Sequence, residues 1–377
     1  MIVKKKKVLI LYAPFGAGHG GVAKALTKAF LFKYPDVEVI NENILEFTFS
    51  AIKGDLPKIY DKITLKFPIL YKWLYNYFQP RIRILNWASG VILKKNKFVN
   101  FIKDVNPNFI LATNPLPIQL ISETKEKNII DILSGNVCTD FGFHSMWYNR
   151  HANYYFVATE EVKNSLIRHG VKSEEILVTG IPTDIKFTKQ PNRQKIIKDL
   201  GFNSSGQILL IVGGKISCKD ILLITKKTKE KNERLQFIIV AGRDVSLYRE
   251  LSRSQFVKSP FIKVFSFVNN LDEYMTVSDL IITKAGGLTV SECLIKGLPM
   301  VINDIIPGQE EDNVNYVVEN KIGLRTTNLT ETIDILNELF SNPSKLETMK
   351  KDCQRLAKPR AAEEVIDFVV SKIKEMP

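Results

Sequence analysis

Apolar residues along this chain come in short runs of strand length, each followed by a turn and then by apolar positions at helical spacing. The first unit, KKVLILYAPFGAGHGGVAKALTKAFLFKY, reads as strand, glycine loop and helix, with Ala23, Leu26, Ala29 and Phe30 on one face. VEVINENIL follows as a second strand and completes a βαβ unit, which points to a parallel sheet. NPNFILATNPLP is a further buried strand. The stretch beginning VCTDFGFHSMW then puts Asp140, His144 and Trp147 together at a strand end, where α/β proteins place ligands. His144 and Trp147, three apart, could share a helix face, whereas His151 and His169 read as surface residues. Ile181-Pro182, the Lys/Gln/Pro/Asn-rich 186–194 and Asn203-Ser204-Ser205-Gly206 mark a junction.

A second series begins there. GQILLIVGGKIS is a strand running into a Gly213-Gly214-Lys215 turn, LQFIIVAGR ends at Gly242-Arg243, and FIKVFSFV is a third strand. The unit at 281–316 is the richest in chemistry. DLII leads into the Lys284-Ala285-Gly286-Gly287 turn, and a helix from about Leu288 ends at Gly297, suited to a left-handed cap. LPMVIN is a strand again, and Pro307-Gly308-Gln309 opens onto a helix carrying Glu310, Glu311 and Asn313. A helix over Ala361–Lys374 closes the chain. The expected architecture is α/β, with two Rossmann-like, doubly wound parallel-sheet domains at 1–187 and 206–358. A linker at 188–205 joins them, and a final helix at 359–377 could pack back on the first domain.

Composition adds limits. Apolar residues make up 45% of the chain and charged residues 25%, as in folded globular proteins. No apolar run reaches bilayer-spanning length. Lys4–Lys7 followed by VLILYAPF imitates a signal peptide, but the run continues into a glycine loop and reads as a first buried strand. The four cysteines show no CxxC or metal-type spacing, which suits a reducing cytoplasm. Net charge is +13, and residues 50–103 hold eleven Lys/Arg against two acids, so +9 sits in about a seventh of the chain. Trp73 and Trp87 lie in that stretch, and Ile69/Leu70, Trp73/Leu74 and Tyr77/Phe78 recur every four residues. An aromatic face with a basic flank fits a helix in the interface of an anionic bilayer. It reads also as a core-facing stripe with a solvated rim, or as a single-strand nucleic-acid binder.

The loop Gly16-Ala17-Gly18-His19-Gly20-Gly21 matches GxGxxG, and Glu38 or Glu42 lies at a distance suited to a ribose. Taken alone the match is weak, and Pro14 and Phe15 lengthen the turn. No Gly-Lys-Ser/Thr follows, so it is not a P-loop. His19 is the unusual member: a histidine beside a helix N-terminus can be kept neutral and act as a general base, or simply cap the helix. In the second series, Gly286 and Gly287 precede a helix N-terminus, where free N–H groups favour a phosphate. Glu292, one turn on, can accept from a ribose diol, and Gln309, Glu310 and Asn313 suit sugar hydroxyls. The same residues are also consistent with an ordinary βαβ unit. No Asp-x-Asp pair or tight His/carboxylate spacing supports a metal site.

Three segments together, GAGHGGVAKAL at 16–26, the stretch from TDFGFHSMW to VTGIPTDIKF at 139–187, and ITKAGGLTVSECLIKGLPMVIN…PGQEEDNVNY at 282–316, resemble the processive diacylglycerol glucosyltransferases and monogalactosyldiacylglycerol synthases. These are similar to the enzyme that adds N-acetylglucosamine to lipid I. The resemblance implies a GT-B fold, with the acceptor on the first domain and a UDP-sugar on the second. It implies inverting, metal-independent transfer of a hexose from UDP-glucose or UDP-galactose to diacylglycerol, on the inner face of the cell membrane. His19 matches the proposed base and Asp140 a supporting position. Phe267 and Val268 match positions that meet uracil, Gly286, Gly287 and Leu288 the phosphate turn, Glu292 the ribose glutamate, and Gln309, Glu310 and Asn313 the sugar contacts. Gly16, Gly18, Gly213, Gly214, Lys215, Arg243, Lys284 and Thr289 complete the candidate binding set. The Gly213–Lys215 run is shorter than the family's.

Rival readings are an N-acetylglucosaminyl-type transferase and a nucleotide-sugar epimerase on the same fold. A nicotinamide oxidoreductase would use only the first glycine loop. A nucleic-acid binder would leave Glu292 unexplained, so no nucleic-acid partner and no metal or other cofactor is expected.

Overall fold

The computed structural model describes residues 5–15, 18–47, 95–212, 216–304 and 310–375. The first sheet uses strands β1 (Lys7–Tyr12), β2 (Glu38–Asn43), β3 (Phe109–Ala112), β4 (Leu133–Val137), β5 (Tyr154–Val157) and β6 (Ile176–Val178). All pair in parallel, in the spatial order β2-β1-β3-β4-β5-β6. Its helices are α1 (Gly18–Lys33), α2 (Lys95–Val105), α3 (Pro115–Glu126) and α4 (Glu160–Arg168). Val8, Leu9, Ile10 and Leu11 are all buried, as unbroken apolar runs must be when both faces of a sheet are covered.

The second sheet repeats the plan. It comprises β7 (Ile208–Val212), β8 (Gln236–Val240), β9 (Ile262–Phe265), β10 (Leu280–Lys284), β11 (Met300–Asp304) and β12 (Gly323–Arg325). Their order is β12-β11-β10-β7-β8-β9. Between the sheets, the junction is not coil throughout: α5 (Arg193–Asp199) forms there, capped by Asn192 and anchored by the buried Ile197. The helices α6 (Cys218–Lys231), α7 (Val245–Arg253), α8 (Leu271–Val277), α9 (Gly287–Lys296), α10 (Glu311–Glu319), α11 (Leu329–Ser341) and α12 (Pro343–Leu356) follow. Gly297 ends α9 at φ 61°, a left-handed cap that glycine adopts without strain.

Strand order reverses between β1 and β3 in the first sheet and between β7 and β10 in the second. At such switch points the connections leave in opposite directions and open a crevice beyond the strands' carboxyl ends. The His19 loop follows β1, and the Gly286-Gly287 turn follows β10, so each predicted site occupies a crevice.

One hydrophobic cluster crosses the domain boundary. It runs from Val8, Leu26 and Phe30 through Ile181, Phe187 and Ile197 to Ile208 and Ile281. The last helix, α13 (Ala361–Lys374), returns to the first domain and lies against α1. Phe368 meets Tyr154 and Phe156 edge-on, with ring centroids at 4.8 and 5.6 Å. At its margin Lys33 pairs with Glu363 and Asp367. Aromatic burial outweighs exposed ion pairs, which contribute at most about 1 kcal/mol. Phe368→Ala is therefore expected to lower the free energy of urea unfolding by about 2–3 kcal/mol. Lys33→Met should change it by less than about 1 kcal/mol, and equal effects would refute this ordering.

Candidate functional site

His19 is the second residue of α1 and is buried. Its Nδ1 lies 2.9 Å from the carbonyl oxygen of Thr113 and 2.9 Å from the hydroxyl oxygen of Thr139. These residues follow β3, which lies beside β1, and β4, which lies beside β3, so three adjacent strand ends fix one imidazole. A carbonyl can only accept, so Nδ1 carries the hydrogen and Nε2 keeps its lone pair. The Thr113 hydroxyl donates back to the His19 carbonyl at 3.0 Å. Burial lowers the imidazole pKa to about 4, although the bond to Thr113 works in the other direction. Near neutral pH the ring is an uncharged base with its tautomer set by the backbone.

Trp147 stands beside it, with ring centroids 6.1 Å apart. Its indole Nε1 donates to Asp140 Oδ2 at 3.2 Å, so Asp140 is joined to the histidine's surroundings through an aromatic ring. Burial raises the Asp140 carboxyl to about 6, opposed by the bonds from Asn313 and Trp147 and helped by the nearby Glu310 and Asp312. His144 does not share a helix face with Trp147: it caps the short 3-10 turn Ser145–Trp147, its Nδ1 accepting from Met146 N at 3.1 Å. A ring nitrogen that accepts from the backbone ahead of a turn acts as a cap.

Across the cleft, Lys284 ends β10 and α9 starts at Gly287 with Gly286 as an N-cap that makes no side-chain bond. The first N–H groups of α9 are thus left to other partners. A Cβ on Gly287 would stand 2.1 Å from the carbonyl oxygen of Thr139, so the segment that holds His19 lies directly on this turn. Leu288 reaches over to α1, where a Cβ on Gly18 would meet its Cβ at 4.0 Å. Thr289 faces Gly286, whose Cβ would lie 3.9 Å from the Thr289 hydroxyl. Lys284 Nζ is 3.3 Å from Glu310 Oε1, an ion pair with the carboxylate buried.

Glu292, one turn into α9, makes no hydrogen bond or ion pair with the described residues. Burial raises its carboxyl to about 8; Lys186 pulls it down, and Asp184 and Asp272 push it up. Lys186 comes from the first domain and reaches over to the carbonyl oxygen of Asn269 and, at 3.3 Å, to Asp272. It therefore ties the 267–269 loop to the surroundings of Glu292. In that loop Phe267 is 56% exposed and Val268 packs on the core. The Arg243 guanidinium sits 5.7 Å above the Phe267 ring. Asn313 is fully buried, its amide spent on Asp140 and the backbone of Phe141.

The structure thus gathers His19, Asp140, Gly18, Lys284, Gly286, Gly287, Leu288, Thr289, Glu310 and Asn313 at the facing strand ends, with Glu292, Phe267, Val268 and Arg243 along the second domain's side. Gly16, Gly213, Gly214, Lys215, Gln309 and most of the basic stretch, 50–94, lie outside the described residues. Glu38 sits at the start of β2 and pairs with Lys7, at the opposite end of the sheet from His19. The sequence did not single out Thr113, Thr139, Gly142 or Lys186, because a threonine or lysine acquires its role only from what the fold brings to it. Among the described residues no group of three His, Cys, Asp or Glu could hold a metal, and no helix is long and apolar enough to cross a membrane.

Residues 19–183 match the family of monogalactosyldiacylglycerol (MGDG) synthase, and residues 208–365 match the glycosyltransferase family 28 C-terminal domain. The chain is 29% identical over 385 aligned residues to a processive diacylglycerol beta-glucosyltransferase of Bacillus cereus, covering 98% of this chain and 95% of that protein. Among solved structures, UDP-GlcNAc 2-epimerase from Neisseria meningitidis superimposes with TM-score 0.61 at 14% identity, over 97% of this chain and 100% of that one. MurG of Acinetobacter baumannii gives 0.60 at 15% identity, over 97% and 99%. The fold is GT-B, as the sequence led us to expect.

The lowered pKa has a direct readout. An unfolded histidine takes up its proton near pH 6.5, whereas folded His19 refuses it until about 4. Stability from this residue is therefore complete above pH 6.5 and is lost as pH falls towards 4. An NMR titration is expected to show the His19 ring signals unchanged from pH 8 to 5. A midpoint near 6.5 would refute the assignment.

Proposed function

We propose that this glycosyltransferase, which joins a monogalactosyldiacylglycerol synthase domain to a family 28 C-terminal domain, moves a hexose from a UDP-sugar to the hydroxyl of diacylglycerol or a glycosyl-diacylglycerol. The observation that carries the reading is the neutral His19, its Nδ1 fixed by Thr113 and Thr139, set against the free N-terminus of α9. The acceptor specified here is the one named for the Bacillus relative.

In this reading the acceptor hydroxyl gives its proton to His19 Nε2 as its oxygen attacks C1 of the sugar. The C1–oxygen bond to UDP breaks on the opposite face, which inverts the anomeric centre. Positive charge gathers on the ring, as in other glycosyl transfers. The electron pair departs onto the terminal phosphate of UDP. There the N–H groups of α9 and the Lys284 ammonium meet it, a preorganised stabilisation that calls on no metal. Glu292, with no partner of its own among the described residues, meets the ribose diol; a carboxyl near pKa 8 can both donate and accept there. Phe267, Val268 and Arg243 take the uracil side, and Glu310 with Gln309 the sugar hydroxyls. The basic, aromatic stretch at 50–103 holds the enzyme on anionic lipid at the cytoplasmic face of the membrane, where the acceptor resides.

Three experiments test this. Incubation with a panel of UDP-sugars and liposomes containing diacylglycerol, read by product mass, should yield a glycosyl-diacylglycerol. Conversion of the nucleotide sugar without acceptor would instead make the protein an epimerase. His19→Ala is expected to lower turnover by about 10²–10⁴-fold while calorimetry shows UDP binding unchanged; substantial residual turnover would remove His19 as base. Sedimentation with liposomes should require anionic lipid and weaken as salt rises. Binding that ignores salt would sink the docking role of 50–103.

A further inference from the structure

The resemblance assigns Asn313 to the donor sugar, yet its amide is already committed. Its Oδ1 accepts from Phe141 N at 2.7 Å and its Nδ2 donates to Asp140 Oδ1 at 3.3 Å, with the side chain fully buried. Both partners belong to the first domain, and Asn313 belongs to α10 of the second. The neighbouring contacts point the same way. Phe141 stacks on Tyr316 with centroids 4.3 Å apart, and a Cβ on Gly142 would stand 2.1 Å from the Asp312 side chain. Thr139, in the same four-residue stretch, holds His19 with its hydroxyl and presses its carbonyl on Gly287. Residues 139–142 therefore meet the base on one side and Gly287, Asp312, Asn313 and Tyr316 of the donor domain on the other.

We infer that Asn313 is a latch between the domains and a positioning residue for transfer. By bonding Asp140 and Phe141 it holds 139–142 against α9 and α10, so that the base and the donor turn come into register only when the cleft is shut. The inference rests on the glycosyl-transfer reading for its kinetic consequence, but not for its structural one.

An asparagine suits this post because it offers one acceptor and one donor in a fixed plane. Asn313→Asp keeps the acceptor for Phe141 N and replaces the donor by an oxygen facing Asp140. Glu310 and Asp312 also bear on Asp140, and among the described residues Lys284 is the cation bonded to that group, already paired with Glu310. Two buried carboxylates in contact repel, so at pH 8 this variant should open. The expected result is a larger radius of gyration in X-ray scattering with UDP bound, a turnover number reduced by about 10–100-fold, and little change in UDP affinity or in KM for the UDP-sugar. Adding Asp140→Asn supplies the missing amide donor from the other side and should close the cleft again, whatever it does to turnover. Gly142→Ala, which leaves the latch residues intact, should open it by collision with Asp312. If Asn313→Asp and Gly142→Ala both scatter like the parent, the latch is wrong. If Asn313→Asp leaves closure intact but changes the preference between UDP-glucose and UDP-galactose, Asn313 is a sugar contact instead. Scattering and UDP binding need no acceptor, so a wrong acceptor would not alter either outcome.

Discussion

The carbonyl oxygen of Thr139 lies so near Gly287 that a Cβ there would stand 2.1 Å away, and the rest of the cleft is arranged around this approach. No other residue type fits at 287 without moving one domain. The same glycine opens α9 behind an N-cap with no side-chain hydrogen bond, so close packing of the domains and an uncapped helix start meet at one position. Thr139 brings its hydroxyl to His19 at the same time. The distance between His19 and the Gly286-Gly287 turn is therefore set by a few atoms of backbone, not by long flexible side chains.

The polar groups in the cleft are satisfied largely by one another. Lys284 holds Glu310, Asn313 and Trp147 hold Asp140, and Thr113 and Thr139 hold His19. Groups fixed in this way need little reorganisation when charge develops beside them, which is the source of electrostatic preorganisation. Glu292 is the exception, a carboxyl raised to about 8 and left without a described partner. The cost of removing a carboxylate from water is met here by keeping its proton. Such a group gains most from a ligand that brings hydroxyls to it.

Much of the fold was legible because it depends on period and punctuation. Unbroken apolar runs between turns gave parallel strands, Gly297 gave the end of α9, and Ala361–Lys374 gave the final helix to the residue. The junction was less legible: its polar composition hid α5, in which Ile197 alone is buried and Ile196 packs partly exposed against the core. Of the site, His19 and the Gly286-Gly287 turn stood out because glycines leave a local mark. Thr113, Thr139 and Lys186 left none, since each acts on a residue 83 or more positions away. His144 was placed on a helix face by spacing alone, and its cap geometry depends on a turn that spacing does not specify.

In the proposed transfer, the division of labour between the domains follows from the chemistry of displacement. A proton must leave the acceptor on one side of the reacting carbon while negative charge collects on the other, so base and anion site have to face each other a few ångströms apart. A single parallel sheet offers one row of strand ends, all opening the same way. Two sheets offer two, and the shared hydrophobic cluster through Ile181, Phe187 and Ile197 joins them. That arrangement admits substrates only by opening, so something must favour the shut state once they are bound. Apolar packing at a hinge cannot do so, because it is buried whether the cleft is open or closed. Directional bonds at the far side of the cleft, such as those from Asn313, are made only on closure, and they therefore carry the difference.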